Sequence, residues 1–403
     1  MILSKQKLKL FLLIILISIL LLYSYRVQTQ PMNAYIGMVS VEYDYLYMVN
    51  LIASIVILYL IFPNYFYTPT NIFISIYILF PLLSIISHYG VSGLLNTNSY
   101  WILFLFQVLS ISFIQFLSRF IRYFIYRFNF KLFFKKKGRI KNEWVFVCFL
   151  FAILLLLIQR FELDFGFVNS YDRRLNVRNE LSGVLAYMTS IGMNGVAPFL
   201  AYISALNKKS VFFIIAFLFV VIMFGITGAK APIALVIFMW IFGKLTPNYG
   251  PVKILIYAVL IISVVSVFEF LLFDYSLGMD IFLRRVFSSV ALTQSYYADY
   301  FLNHAVINDI VFGVAKEGKD VTYMIGELYS NNPNANDNTN LLLYEIGRRG
   351  LVGYVFMLFF LSFFFSFLDV LYIKCKMKEM AGVSILYSLI IVEQSYTVAL
   401  ISS

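Results

Sequence analysis

About eleven apolar runs, each near the length that crosses a bilayer, divide this chain. They fall at 9–24, 45–62, 72–88, 101–118, 144–159, 182–206, 210–227, 231–247, 253–272, 350–370 and 380–401. Such runs make helices, because a helix satisfies its own backbone in lipid, whereas barrel strands show as short alternating segments. Hydrophobic residues are 62% of the chain and charged ones 13%, with a mean hydropathy of +0.86. A soluble fold cannot bury that much apolar surface. The expected architecture is therefore all-α: one polytopic integral membrane domain over 1–403, with 10–12 spans. Glu393 makes 380–401 the least regular of them. Cys148 and Cys375 lie too far apart in sequence to signal a disulfide framework or a metal site. The basic, then apolar N-terminus lacks a small-residue cleavage site and reads as a retained first span.

Sidedness follows from Lys and Arg in the short connections. Lys5, Lys7 and Lys9 put the N-terminus inside, and the most basic stretch of the chain, 119–144, then also falls inside. Lys208 and Lys209, Lys244 and Lys253, and Lys374, Lys376 and Lys378 continue the pattern, with 63–71 the one exception. The net charge of +11 is thus explained by loops facing the cytoplasm, without nucleic acid.

The same count places VNSYDRRLNVRNE (168–180) outside, where Arg173, Arg174 and Arg178 break the positive-inside pattern. Two other outside segments share this property. Lys230 stands in GITGAKAP between two spans, and the long connection 273–349 carries Arg284, Arg285, Arg348 and Arg349. Local pairing with Glu162, Asp164, Asp172 or Glu180, or contact with lipid phosphate, would account for the three arginines. Cations in three separate outside segments also fit one shared anion, for which the guanidinium fork is suited. Gly225 and Gly228 around Lys230 allow close backbone approach at that turn, as in an ordinary hairpin or beside a ligand.

The long connection reads in two parts. Residues 279–305 hold Phe282, Val286, Tyr296, Tyr297, Tyr300 and Phe301 in an amphipathic pattern suited to an interfacial helix. Residues 329–355 form an asparagine-rich passage into a span, whose Asn, Asp and Tyr suit sugar hydroxyls or a solvated turn. Three groups could move a proton there: Asp337, His304 and Glu345, the last beside an apolar run.

Three features, YDRRLNVR (171–178), TGAK (227–230) and NDNTNLLLYEIGRRGLVG (336–353), occur in that order. Over residues 140–370 the arrangement resembles the oligosaccharide repeat-unit polymerases of the Wzy type, which share a superfamily with the O-antigen ligases. The resemblance implies a GT-C-like fold in the bacterial inner (plasma) membrane, with the N-terminus cytoplasmic. It implies polymerisation of undecaprenyl-pyrophosphate-linked oligosaccharides into O-antigen, capsule or exopolysaccharide. The implied partners are that lipid-linked substrate, membrane lipid, a chain-length regulator protein and a flippase. Arg173, Arg174 and Arg178 would hold the pyrophosphate, with Lys230, Arg284 and Arg285 as further contacts. Asn338 and Asn340 would contact glycan. The ligases carry a His–Asn pair where this chain has Asp337–Asn338, so the base is left among Asp337, Glu345 and His304. No metal or cofactor is expected, because no outside carboxylate cluster has ligand spacing. Glu42 and Asp44 would serve a metal-using alternative. A ligase differs only in acceptor, and a flippase should carry its cations within the spans.

Overall fold

The computed structural model describes residues 5–64, 67–127, 143–166, 168–314, 320–330 and 336–393. The basic run 128–142, the end of the last apolar segment, and the side chains of Arg178 and Glu393 lie outside the described residues. Among the described residues the regular structure is helical throughout. Eight helices are long and apolar enough to cross a membrane: Lys7–Ile36, Pro69–His88, Thr97–Arg127, Gly183–Leu206, Ser210–Thr227, Ala231–Tyr249, Pro251–Phe273 and Leu341–Ile373. Three shorter apolar helices, Tyr45–Ile61, Glu143–Ile158 and Glu379–Val392, occupy the remaining predicted segments. The chain is a membrane-embedded helical protein.

Pro69–His88 is the most enclosed of these helices. Pro69 starts it, where a missing N–H costs nothing. Pro81 lies inside it, and Ile78–Leu82 widens to the i→i+5 pattern around that residue. Thr97–Arg127 and Leu341–Ile373 lie beside it, parallel to each other and antiparallel to it. Ser110 meets the Tyr354 hydroxyl at 2.6 Å, Ser366 donates to the Ser118 carbonyl at 2.9 Å, and Arg122 meets Asp369. Serine at these crossings lets the two backbones approach closely.

The bundle has two distinct ends. One gathers Pro69, Arg122, Glu143, Asn207, Lys209, Asp369 and Ser384, joined by Arg122–Asp369, Lys209–Glu143 and Ser384 to the Pro69 carbonyl. Arg122, Lys209 and Lys374 lie at this end. The far end gathers 25–44, 88–100, 160–182, 225–231 and the connection 274–349.

That connection differs from a loop carrying one surface helix. Gly278–Ser288, Ser289–Asp299 and Tyr300–His304 follow one another as helix, and Ile307–Phe312 and Val321–Ser330 add two more. In Gly278–Ser288 the amphipathic pattern is real: Met279, Leu283 and Phe287 are buried while Ile281 and Arg285 are exposed. Its apolar face is seated on protein, with Phe287 against Phe80 and the Val286 carbonyl near Ser84. Periodicity shows that a face is buried, without showing whether lipid or protein covers it.

Leu341–Ile373 breaks at Gly350, where φ is 64° and ψ −159°. A Cβ there would lie 2.2 Å from the Val311 carbonyl, and one on Gly313 would lie 2.4 Å from the Arg348 carbonyl. Two glycines thus let two backbones touch where a side chain has no room. The break separates Leu341–Arg349 from the span that starts where the sequence predicts one.

Candidate functional site

The segment Leu341–Arg349 begins deep in the bundle. Asn340 caps it, its Oδ1 accepting from the amides of Leu342 and Leu343. The Tyr77 hydroxyl stands 2.9 Å from that same Oδ1 and 3.1 Å from Gln107 Oε1. Gln107 donates to Gln294 at 2.7 Å, and Gln294 donates to the Pro81 carbonyl. Gln107 lies about 15 Å along its helix from Thr97 by helix rise, roughly half the thickness of a hydrocarbon core. A chain of buried amides and a phenol at that depth ties three long helices to the connection 274–349. The Asn340 carbonyl is therefore engaged in structure, while its Nδ2 is enclosed without a partner among the described residues.

Two of the three proton-handling candidates, Asp337 and Glu345, lie around this head. The Tyr297 hydroxyl donates to the Asp337 carbonyl at 3.4 Å. Tyr297 also lies near Asp320 and Tyr344, and Tyr344 donates to Asp320 at 2.8 Å. Asp320 is in turn close enough to act on Glu345. Glu345 is fully enclosed, and neither of its oxygens has a hydrogen-bond partner among the described residues. Arg349 forms an ion pair with it, Nη1 to Oε2 at 3.6 Å. His304 sits further along the same connection, 55% exposed at the side chain, with Nε2 3.5 Å from Asp299 Oδ2. Asp299 also accepts from Tyr329 at 2.6 Å, and Tyr329 stacks flat on Tyr296. Tyr296 closes the circuit, because burial and then the Asp337 charge push its hydroxyl up to about 12.

Burial raises the Asp337 carboxyl above its usual value of 3.8, against a smaller lowering by the Ser330 hydroxyl. A raised folded-state value means that the protonated form suits the fold. The stability this confers is complete below 3.8 and is lost as pH rises through the raised value. Asp337→Asn removes that loss. Its unfolding midpoint should match wild type near pH 3.8 and exceed it at pH 7, as detergent unfolding curves at the two pH values would show. A lower midpoint at pH 7 would contradict the assignment.

The arginine elements form a second group. The turn 227–230 and the helix Ser170–Glu180 touch directly: Gly228, at φ +70°, would put a Cβ 2.2 Å from the Ser170 carbonyl. Gly225 gives similar room to the Phe165 ring. Both glycines therefore serve close approach. Arg173 is 11% exposed, with its fork on Asp164 and the Gly166 carbonyl and its plane near Phe224. Of the local carboxylates that could have met it, Asp164 does. Arg174 and Lys230 are exposed. The structure places Arg284 and Arg285 apart from this pair of elements, on Gly278–Ser288, where Arg284 bonds Asp280 at 2.9 Å and Arg285 is exposed. Arg173→Ala should cost about 1 kcal/mol of stability through lost packing and bonding. Arg174→Ala should stay within about 0.5 kcal/mol, and equal losses in detergent unfolding would refute the distinction.

Sequence reasoning passed over Asp299, Asp320, Tyr329, Tyr77, Gln107 and Gln294. Gln107 had a usable signal, a polar amide in the middle of an apolar run. Asp320 and Tyr329 had none, since only folding brings them to Tyr344 and Asp299. Asn338 is half-buried beside Asp337, with an enclosed Oδ1 lacking a hydrogen-bond partner among the described residues. No protein-family model, curated protein or solved structure matches this chain.

Proposed function

We propose that this protein is a metal-independent glycosyltransferase that joins polyprenyl-pyrophosphate-linked oligosaccharide units into a longer surface glycan. The observation that supports the reading is the grouping of Asp337 and Glu345 around Tyr297, Tyr344 and Asp320 where the long connection meets the bundle, with His304 further along that connection on Asp299. Basic connections face the cytoplasm as a rule, so the end with the long connection would face outward, where such glycans are assembled.

In this reaction a hydroxyl of one unit attacks the sugar carbon that bears the pyrophosphate of another. A C–O bond forms, the bond to pyrophosphate oxygen breaks, and the hydroxyl proton passes to a base. Glu345 is assigned as that base, because both its oxygens are enclosed and free of donors among the described residues. Asp337 and His304 would orient the attacking unit. Arg348 and Arg349 follow Glu345 by one helical turn, and they would balance the charge gathering on the leaving pyrophosphate. Arg173 is assigned to structure instead, since Asp164 occupies its fork.

Purified protein in nanodiscs, mixed with lipid-linked repeat units, should yield a ladder of longer lipid-linked glycans on a gel. Transfer to a lipid A core in place of a ladder would convert the reading to a ligase. Movement of units across the bilayer with no new glycosidic bond would replace it with a flippase.

A further inference from the structure

The surface beyond the proton-handling groups has its own chemistry. Tyr300–His304 is a wide i→i+5 turn, closed by the Ala305 amide on the Tyr300 carbonyl at 2.8 Å. Such turns re-aim side chains and recur at functional sites. Here the turn presents Tyr300, Asn303 and His304 outward over the buried carboxylate of Asp299. That one anion orients the whole face. Its Oδ1 accepts from Asn303 at 2.7 Å, its Oδ2 accepts from Tyr329 at 2.6 Å, and His304 Nε2 lies 3.5 Å from Oδ2. Tyr329 lies on Tyr296 with ring centroids 4.7 Å apart and planes 5° apart, so its ring is braced from below. Tyr300 stands edge-on to Phe301 at 5.5 Å.

We propose that Tyr300, Asn303, His304 and Tyr329, set over Asp299, form a carbohydrate subsite that holds a neutral sugar ring next to the transfer centre. The assignment rests on the glycosyl-transfer reading. Flat tyrosine faces suit the C–H face of a pyranose. Exposed amide and imidazole edges supply both donors and acceptors for hydroxyls. The face is pre-organised, because Asp299 and Tyr296 hold the side chains without a ligand, and binding then orders little. The charged groups around it argue against an anion: Asp299, Asp309 and Asp337 all act on these tyrosines or their stack. Continuity with the centre comes through Tyr296, which stacks on Tyr329 and feels the Asp337 charge. A unit reacting at Asp337 and Glu345 would lay its neighbouring ring on Tyr329.

Saturation-transfer-difference NMR on the full chain in nanodiscs tests this, with neutral oligosaccharides, choline and methylenediphosphonate, the proton-bearing analogue of pyrophosphate, as separate probes. A neutral oligosaccharide should show transfer, and Tyr300→Ala should weaken its affinity about tenfold. Tyr329→Phe keeps the stack and releases the Asp299 bond, so it should weaken binding less. Both variants should stay folded, with Tyr329→Phe unfolding earlier than wild type because the buried Asp299 carboxylate loses a donor. In the ladder assay Tyr300→Ala should raise KM about tenfold with kcat within about twofold, the signature of lost ground-state binding. Transfer to choline or methylenediphosphonate alone, to no probe, or equally in Tyr300→Ala, overturns the subsite. A wild type that binds oligosaccharide through Tyr300 but makes no ladder keeps the subsite and removes the polymerase reading. A ladder with unaltered KM in both variants does the reverse.

Discussion

Glu345→Gln is expected to abolish ladder formation, with a rate loss of about 10²–10⁴-fold, while leaving the fold intact. The substitution keeps shape and volume and removes only the ability to take a proton. Asp337 and Asp299 already accept hydrogen bonds, from Ser330 in one case and from Tyr329 and Asn303 in the other. Glu345 has Arg349 at 3.6 Å and no hydrogen-bond donor among the described residues. Its lone pairs are therefore uncommitted to any donor among the described residues, and an incoming hydroxyl reaches them only once the side chains enclosing Glu345 move. The same isolation makes the charge expensive to bury, so a neutral amide should cost the fold little. Single-turnover rates and detergent unfolding of one preparation separate the two effects. If Glu345→Gln keeps more than about a tenth of the wild-type rate, the base lies elsewhere. Parallel Asp337→Asn and His304→Gln measurements would then locate it.

Asp369→Ala should produce the largest loss of stability, about 3 kcal/mol. Asp369 is 1% exposed and accepts from the Thr70 amide, the Thr70 hydroxyl and Arg122 Nη1, each at 2.9 Å. It thereby caps Pro69–His88 from outside and links that helix to Thr97–Arg127 and Leu341–Ile373. Removing it leaves a buried amide, a buried hydroxyl and a guanidinium without their partner. The figure sits at the low end for a broken buried pair because Arg122 keeps 28% of its side chain exposed. Unfolding in a mixed-detergent titration measures it. Adding Arg122→Ala should recover part of the loss, since the stranded cation is gone. A loss below about 1 kcal/mol would show that solvent satisfies these groups.

Much of the bundle was legible in the sequence. Each predicted span has an apolar helix in the structure, because span length and hydropathy are local properties of the chain. The close-approach role of Gly225 and Gly228 could be read from small residues at a tight turn. Arg173 could not be resolved in advance: four carboxylates lay within reach in sequence, and geometry alone selects Asp164. The connection 273–349 was the least legible part. Its polar and aromatic composition fits a solvated loop as well as a packed one, and burial of Ala291–Asp299 depends on the complementary surface of distant helices.

Sequence alone therefore determined the class of the protein: helical and membrane-embedded. These follow from free energies that add residue by residue, such as transfer to lipid. The tertiary structure decided which polar groups meet. Asp299 with Tyr329, Tyr344 with Asp320, and Asn340 with Tyr77 are pairs formed across segments that no local rule connects. Hydrogen bonds and ion pairs are short-ranged, so their partners exist only once packing has brought the segments together.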